Sequence, residues 1–132
     1  MNDRADLTSR ADIERLVDAF YDRVQADDRL GPIFNDVAQV DWAEHLPKMY
    51  AFWGAILFGE AGFKGDPMTI HRGLARRAPM TRVEFDRWVE LFHATVDELF
   101  EGPVAYEAKQ RAARIAMVMQ HHITMDEMAA RL

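Results

Sequence analysis

Apolar residues recur with a helical period along nearly the whole chain. In the first segment Ile13, Leu16, Val17, Phe20, Tyr21 and Val24 fall on one face of a helix. Ser9 is placed to cap it, and Asp12 puts a negative charge in the first turn, where the helix dipole favours one. The segment is expected to end near Asp27-Asp28, before a Gly31-Pro32 turn carrying Ile33 and Phe34. A second helix is predicted from Asp41 to Phe58, with Asp41 as N-cap and Glu44 three residues on. His45, Met49, Phe52, Trp53 and Ile56 share one of its faces. Pro47 lies inside the pattern and predicts either a kink or a separate first turn. Gly59, Gly62, Gly65 and Pro67 then break regular structure, and a short helical segment from Pro67 to Gly73 follows.

After Pro79 a third long helix is expected over Thr81 to Phe100, capped by Thr81, with a stripe of Phe85, Trp88, Val89, Phe92, Val96 and Leu99. Gly102-Pro103 separates it from a last helix, Pro103 to His122, whose stripe is Ala108, Ala112, Ile115, Met119 and His122. No segment alternates with period two for long enough to make a strand. The expected class is all-α: four longer helices in one domain over 1–132, with residues 1–9 and 124–132 as loosely ordered tails.

Composition narrows what such a bundle can do. At 132 residues there is material for one core. The complete absence of cysteine removes disulfides, thiolate metal sites and thiol nucleophiles together. A net charge of −6 argues against nucleic acid or an anionic membrane as partner. The apolar run Met49 to Phe58 is far short of the ~20 residues that span a bilayer. The start, Met1-Asn-Asp-Arg-Ala-Asp, is acidic with no apolar stretch behind it, which does not read as a signal peptide and suggests the cytoplasm. Ser9 is the one serine and sits near the terminus, so a serine-hydrolase triad is excluded. The loop glycines lack a lysine-hydroxyl ending and a preceding strand, so they make no phosphate loop.

Histidine carries the remaining candidate chemistry. His121 and His122 are adjacent on a helix and point about 100° apart, a poor arrangement for one metal. Glu90-Leu-Phe-His93 matches one Glu-x-x-His element of a di-iron carboxylate bundle, which needs two such elements and two further glutamates; a surface ion pair is the plainer reading. His71 stands on the short segment between glycine- and proline-containing loops, where one imidazole can be held at an angle that a long packed helix forbids. Three polar-tipped residues lie on apolar stripes: Tyr21, His45 and Trp88. Buried tips need partners, whether backbone carbonyls or something polar at the centre of the molecule. Met49, Phe52, Trp53, Phe34 and Phe92 would wall such a centre, or simply form core. Arg72, Arg76 and Arg77 follow His71 as a solvated face or as partners for ligand carboxylates.

Taken together, Phe20-Tyr21, Gly31-Pro-Ile-Phe34, Trp42-Ala-Glu-His45, Phe52-Trp53, Pro67-x-x-x-His71 and Phe85-x-x-Trp88-x-x-x-Phe92 resemble the third group of the truncated haemoglobins. The order and spacing hold from about residue 11 to 122. The glycine pairs that shape the loops of the first two groups are not apparent. The resemblance implies a two-over-two helical sandwich around haem b, with His71 as the proximal ligand to iron. It places Tyr21, His45 and Trp88 on the distal side and Phe34 against the haem plane, with Met49, Phe52, Trp53 and Phe92 lining the pocket. Dioxygen or a related small molecule would be the ligand, for redox chemistry, sensing or scavenging rather than bulk transport. A reductase is a candidate partner. A small helical interaction module without cofactor, and a di-iron protein centred on Glu90 and His93, are the alternatives.

Overall fold

The computed structural model of the chain describes residues 4–61, 73, 75 and 80–130. Its long helices are α1 (Arg10–Ala26), α2 (Trp42–Phe58), α3 (Arg82–Leu99) and α4 (Pro103–Ala130), with a single π-helical turn at Ile33–Val37 between α1 and α2. No strand occurs among the described residues, and no helix there is long and apolar enough to cross a membrane. The short segment expected over Pro67 to Gly73 falls almost wholly outside the described residues.

The buried residues of α1 are the six of its apolar stripe, Ile13, Leu16, Val17, Phe20, Tyr21 and Val24. Ser9 accepts a hydrogen bond from the Asp12 amide, as an N-cap should. α1 packs against both α2 and α3, and α3 and α4 pair with each other across the tight turn at Gly102-Pro103. α2 runs unbroken through Pro47 to Gly59, which adopts a left-handed conformation at φ 66° and closes the helix. Pro47 therefore separates no first turn from the rest. At the start of α3, Thr81 and Glu84 form a reciprocal capping box.

Described residues towards each end of the chain are tied to the helices. α4 continues to Ala130, eight residues past the expected end at His122. No glycine or proline stops it, and its buried stripe runs on through Ile123, 3% exposed, while His122 lies on the solvent side. The other buried positions of α4 are mostly alanines (Ala105, Ala108, Ala112 and Ala116), which let it approach its neighbours closely.

At the other end, the Asp6 carboxylate accepts hydrogen bonds from the Val104 and Ala105 amides at 2.9 and 2.8 Å. It thus satisfies two of the amides left open where α4 begins and meets the positive end of its dipole. The Glu101 amide donates to the Ala5 carbonyl, and Leu7 is 1% exposed. Gly102 is required beside this junction. Its φ is 145°, and a Cβ there would lie 2.5 Å from the Asp6 carboxyl carbon. Replacing Asp6 by Ala is expected to cost about 1–2 kcal/mol, seen as a lowered urea midpoint with an unchanged slope.

Candidate functional site

One cavity gathers side chains from every described helix. It is lined by Tyr21, Leu30, Ile33, Phe34, His45, Met49, Phe52, Trp53, Met80, Glu84, Phe85, Trp88, Ile115, Ala116 and Met119. Ten of these fifteen have wholly apolar side chains, so the polar groups that reach the space are few and can be considered singly. Of the residues expected around a central ligand, Tyr21, Phe34, His45, Met49, Phe52, Trp53 and Trp88 are brought together here. His71, Arg72, Arg76 and Arg77 lie outside the described residues.

Phe92 is placed differently. It is fully buried and is not among the lining residues. Its ring stacks on Trp53 at 4.8 Å and on Trp88 at 5.9 Å, and meets Phe20 edge-on at 5.1 Å. Phe92 therefore supports the wall from one layer behind, holding the two tryptophans that face the space.

The polar tips are fixed by ring packing. Tyr21 is tilted against Phe20 at 4.8 Å and Trp42 at 5.4 Å, and meets His45 edge-on at 5.2 Å. His45 also meets Trp42 edge-on at 5.5 Å. Trp42 in turn stacks on Phe34 at 6.0 Å and donates from its indole to Asn35. Burial pushes the Tyr21 hydroxyl above its ordinary pKa, so it remains a neutral O–H that can donate a hydrogen bond.

Glu84 is the site residue that the apolar stripe conceals. Its side chain is 6% exposed. It accepts from the Thr81 amide at 2.8 Å, the Thr81 hydroxyl at 2.6 Å and Arg29 at 3.0 Å. Burial raises its pKa, but the bonds from Thr81 and Arg29 outweigh this and hold the carboxyl below its ordinary value. Asp27 behaves alike: burial is outweighed by the Leu30 amide, Arg87 and the Arg29 amide. The Thr81-x-x-Glu84 spacing signals the cap; nothing local signals Arg29, 55 residues away. Ile33, Phe85, Ile115 and Met119 line the cavity from the turn and the apolar stripes that the pattern predicts, whereas Leu30, Met80 and Ala116 line it without any signal in the pattern.

The geometry disfavours a di-iron centre. Glu90 pairs with Arg87 at 2.7 Å, and the His93 ring contacts the Lys109 carbonyl oxygen at 3.0 Å rather than a neighbouring carboxylate. Among the described residues no group of three or more His, Asp or Glu could hold a metal ion.

What the lining suits is a largely apolar group. α2 carries Leu46, Met49, Phe52, Ile56, Leu57 and Phe58, yet only Trp53 and Gly54 are buried in it. A helix that apolar normally buries a broad stripe. Here the six are only partly buried against the core, and two of them, Met49 and Phe52, line the cavity beside the Tyr21, His45 and Trp88 tips.

A two-pair helical arrangement around such a space defines a small globin of the truncated type. The bacterial-like globin family model matches residues 6–127. A group 3 truncated hemoglobin of Campylobacter jejuni is 32% identical over 112 residues, covering 83% of this chain and 86% of that protein. The crystal structure of the group III truncated hemoglobin from Campylobacter jejuni superposes with a TM-score of 0.80 at 29% identity, covering 91% of this chain and 94% of that one. The chain belongs to the bacterial-like globin family. Membership implies haem binding, and the apolar walls and half-covered α2 face are compatible with it.

The depressed Glu84 value has a measurable consequence. A carboxyl whose folded pKa lies below its unfolded one stabilises the fold above the unfolded value, and that share is lost as pH falls through the folded value. Glu84→Gln is therefore expected to lower stability at pH 7 and to flatten its decline below about pH 4.5. Urea unfolding at a series of pH values from neutral into the acid range checks this.

Proposed function

We propose that the protein holds a b-type haem in this cavity and that His71 would bind its iron. It would bind dioxygen or a related small ligand there, for redox chemistry on oxygen or peroxide, sensing or scavenging rather than bulk transport. The observation that carries the reading is the cavity itself: apolar walls from every described helix, an under-covered α2 face, and a neutral buried tyrosine beside it. When bound, haem supplies an iron atom that takes a small ligand and exchanges electrons. The remaining roles belong to the chain.

His71 would hold the iron through a neutral imidazole nitrogen. The Tyr21 hydroxyl and the Trp88 indole N–H serve as donors toward a ligand that gains negative character, and such donors act more strongly in a water-poor pocket. His45 adds a polar contact from α2 or gates entry. Phe34, Met49, Phe52 and Trp53, which line the cavity, would exclude water from a bound haem, with Phe92 bracing Trp53 and Trp88 from behind. Strong donors slow release, which is the reason to prefer redox, sensing or scavenging. A reductase would be the natural partner for redox turnover. Sequence likeness to a group 3 truncated hemoglobin supports the same assignment.

Haemin added to the purified protein is expected to give a Soret band, and protein that stays colourless overturns the reading. His71→Ala should lose most haem affinity or require external imidazole. His93→Ala, whose ring only contacts a backbone carbonyl, should retain it. Equal retention by both variants removes the ligand assignment. Tyr21→Phe keeps the ring but deletes one donor, worth about 1–3 kcal/mol. Dioxygen dissociation is then expected to quicken by about tenfold or more, measured by stopped-flow ligand replacement. An unchanged rate transfers the dominant role to Trp88 or His45.

A further inference from the structure

The turn leaving α1 is fastened to α3 by two ion pairs of opposite sense. Arg87 on α3 donates to Asp27 in the turn at 2.7 Å, and Arg29 in the turn donates to Glu84 on α3 at 3.0 Å. Both carboxylates are nearly buried, with side-chain exposures of 5% and 6%, whereas Arg87 and Arg29 are 38% and 54% exposed. Each carboxylate is also held within its own element: Asp27 by the Arg29 and Leu30 amides, Glu84 by Thr81. The carboxylates are thus fixed points, and the guanidiniums are the parts that can let go.

What the pairs hold together is a wall of the cavity. Leu30 and Ile33 line it from the turn, and Glu84, Phe85 and Trp88 line it from α3. Asn35 adds only long contacts to this stretch, donating to the Gln25 carbonyl at 3.5 Å and accepting from the Trp42 indole at 3.4 Å. Separation of the turn from α3 would part Leu30 and Ile33 from Glu84, Phe85 and Trp88, which line the same cavity.

We propose that Asp27–Arg87 and Arg29–Glu84 form a clasp that sets how fast this wall opens. The four are positioning residues that control exchange of the cavity's contents with solvent. The identity of those contents rests on the haem reading, whereas the opening is a property of the polypeptide and is measurable without it.

The test removes only the cations, leaving the Asp27 turn and the Thr81–Glu84 cap in place. Arg29→Gln and Arg87→Gln are each expected to speed haemin loss to an excess of a haem-free acceptor globin, and the double variant by about tenfold or more. Raising salt from about 0.05 to 0.5 M should accelerate loss from the native protein and leave the double variant nearly unaffected. In the haem-free protein, backbone amide exchange should quicken over residues 30–38 while the amides around Phe20 and Ala112 keep their protection. Arg10→Gln breaks the 3.3 Å pair to Glu60, remote from this wall, and should leave both readouts unchanged.

Haemin loss unchanged in the double variant overturns the clasp, as does amide exchange that quickens equally in all helices. A protein that takes up no haemin sinks the haem reading instead, and amide exchange then decides the clasp alone.

Discussion

Phe92 is the point on which the three long elements around the cavity depend. It is fully buried on α3, stacks on Trp53 of α2, and meets Phe20 of α1 edge-on. Trp88, one helical turn before it, lies nearly parallel to it at an interplanar angle of 13°. Because Trp53 and Trp88 both face the cavity, the orientation of two of its walls is set by one ring that never touches it. Protein interiors are close-packed, so a smaller residue at 92 would leave space into which either tryptophan could tilt. The shape of the site is therefore a consequence of core packing rather than of contacts within the site.

The second constraint comes from α2. Only two of its residues are buried, and its other large apolar side chains pack against the core while remaining partly exposed. A helix of that composition gains little from remaining folded against water. Burial of apolar surface is worth about 25 cal/mol per Å², so a planar apolar guest between α2 and α3 would stabilise the fold as well as serve its chemistry. Binding and folding are then linked by mass action.

Local patterns were legible in the sequence and long-range ones were not. The α1 stripe is buried at all six expected positions, because a run of i, i+3 and i+4 apolar residues admits only one buried face. The Thr81 cap was readable for the same reason: its partner Glu84 is three residues away. Asp6 binds amides 98 and 99 residues further on, so nothing near it in the chain distinguishes it from any other acid in a tail. Glu84 was hidden by a related effect, since a carboxylate is buried only when something pays its desolvation, and here part of that comes from Arg29 in another element. At His122 the period was followed one residue short. The buried position is Ile123, and the helix then continues for want of a stop signal. Phe92 has the right periodicity for a wall, but periodicity assigns a face and not a depth.

The same distinction bears on how the polar tips of the site are held. Tyr21, His45 and Trp88 come from α1, α2 and α3, and aromatic rings fix each of them: Phe20, Trp42 and Phe34 around Tyr21; Tyr21 and Trp42 against His45; Phe20 and Phe92 against Trp88. Ring contacts position a side chain through its faces and edges, independently of the hydrogen-bonding atom at its end. A hydroxyl oriented by a strong internal acceptor would have to break that bond before donating elsewhere. One oriented by the packing of its ring need not. The aromatic excess of the sequence, 8 Phe, 3 Tyr and 3 Trp in 132 residues, therefore does more than fill volume. It sets the polar tips in place in advance, and preorganised groups are those that can act without reorganising the pocket around them.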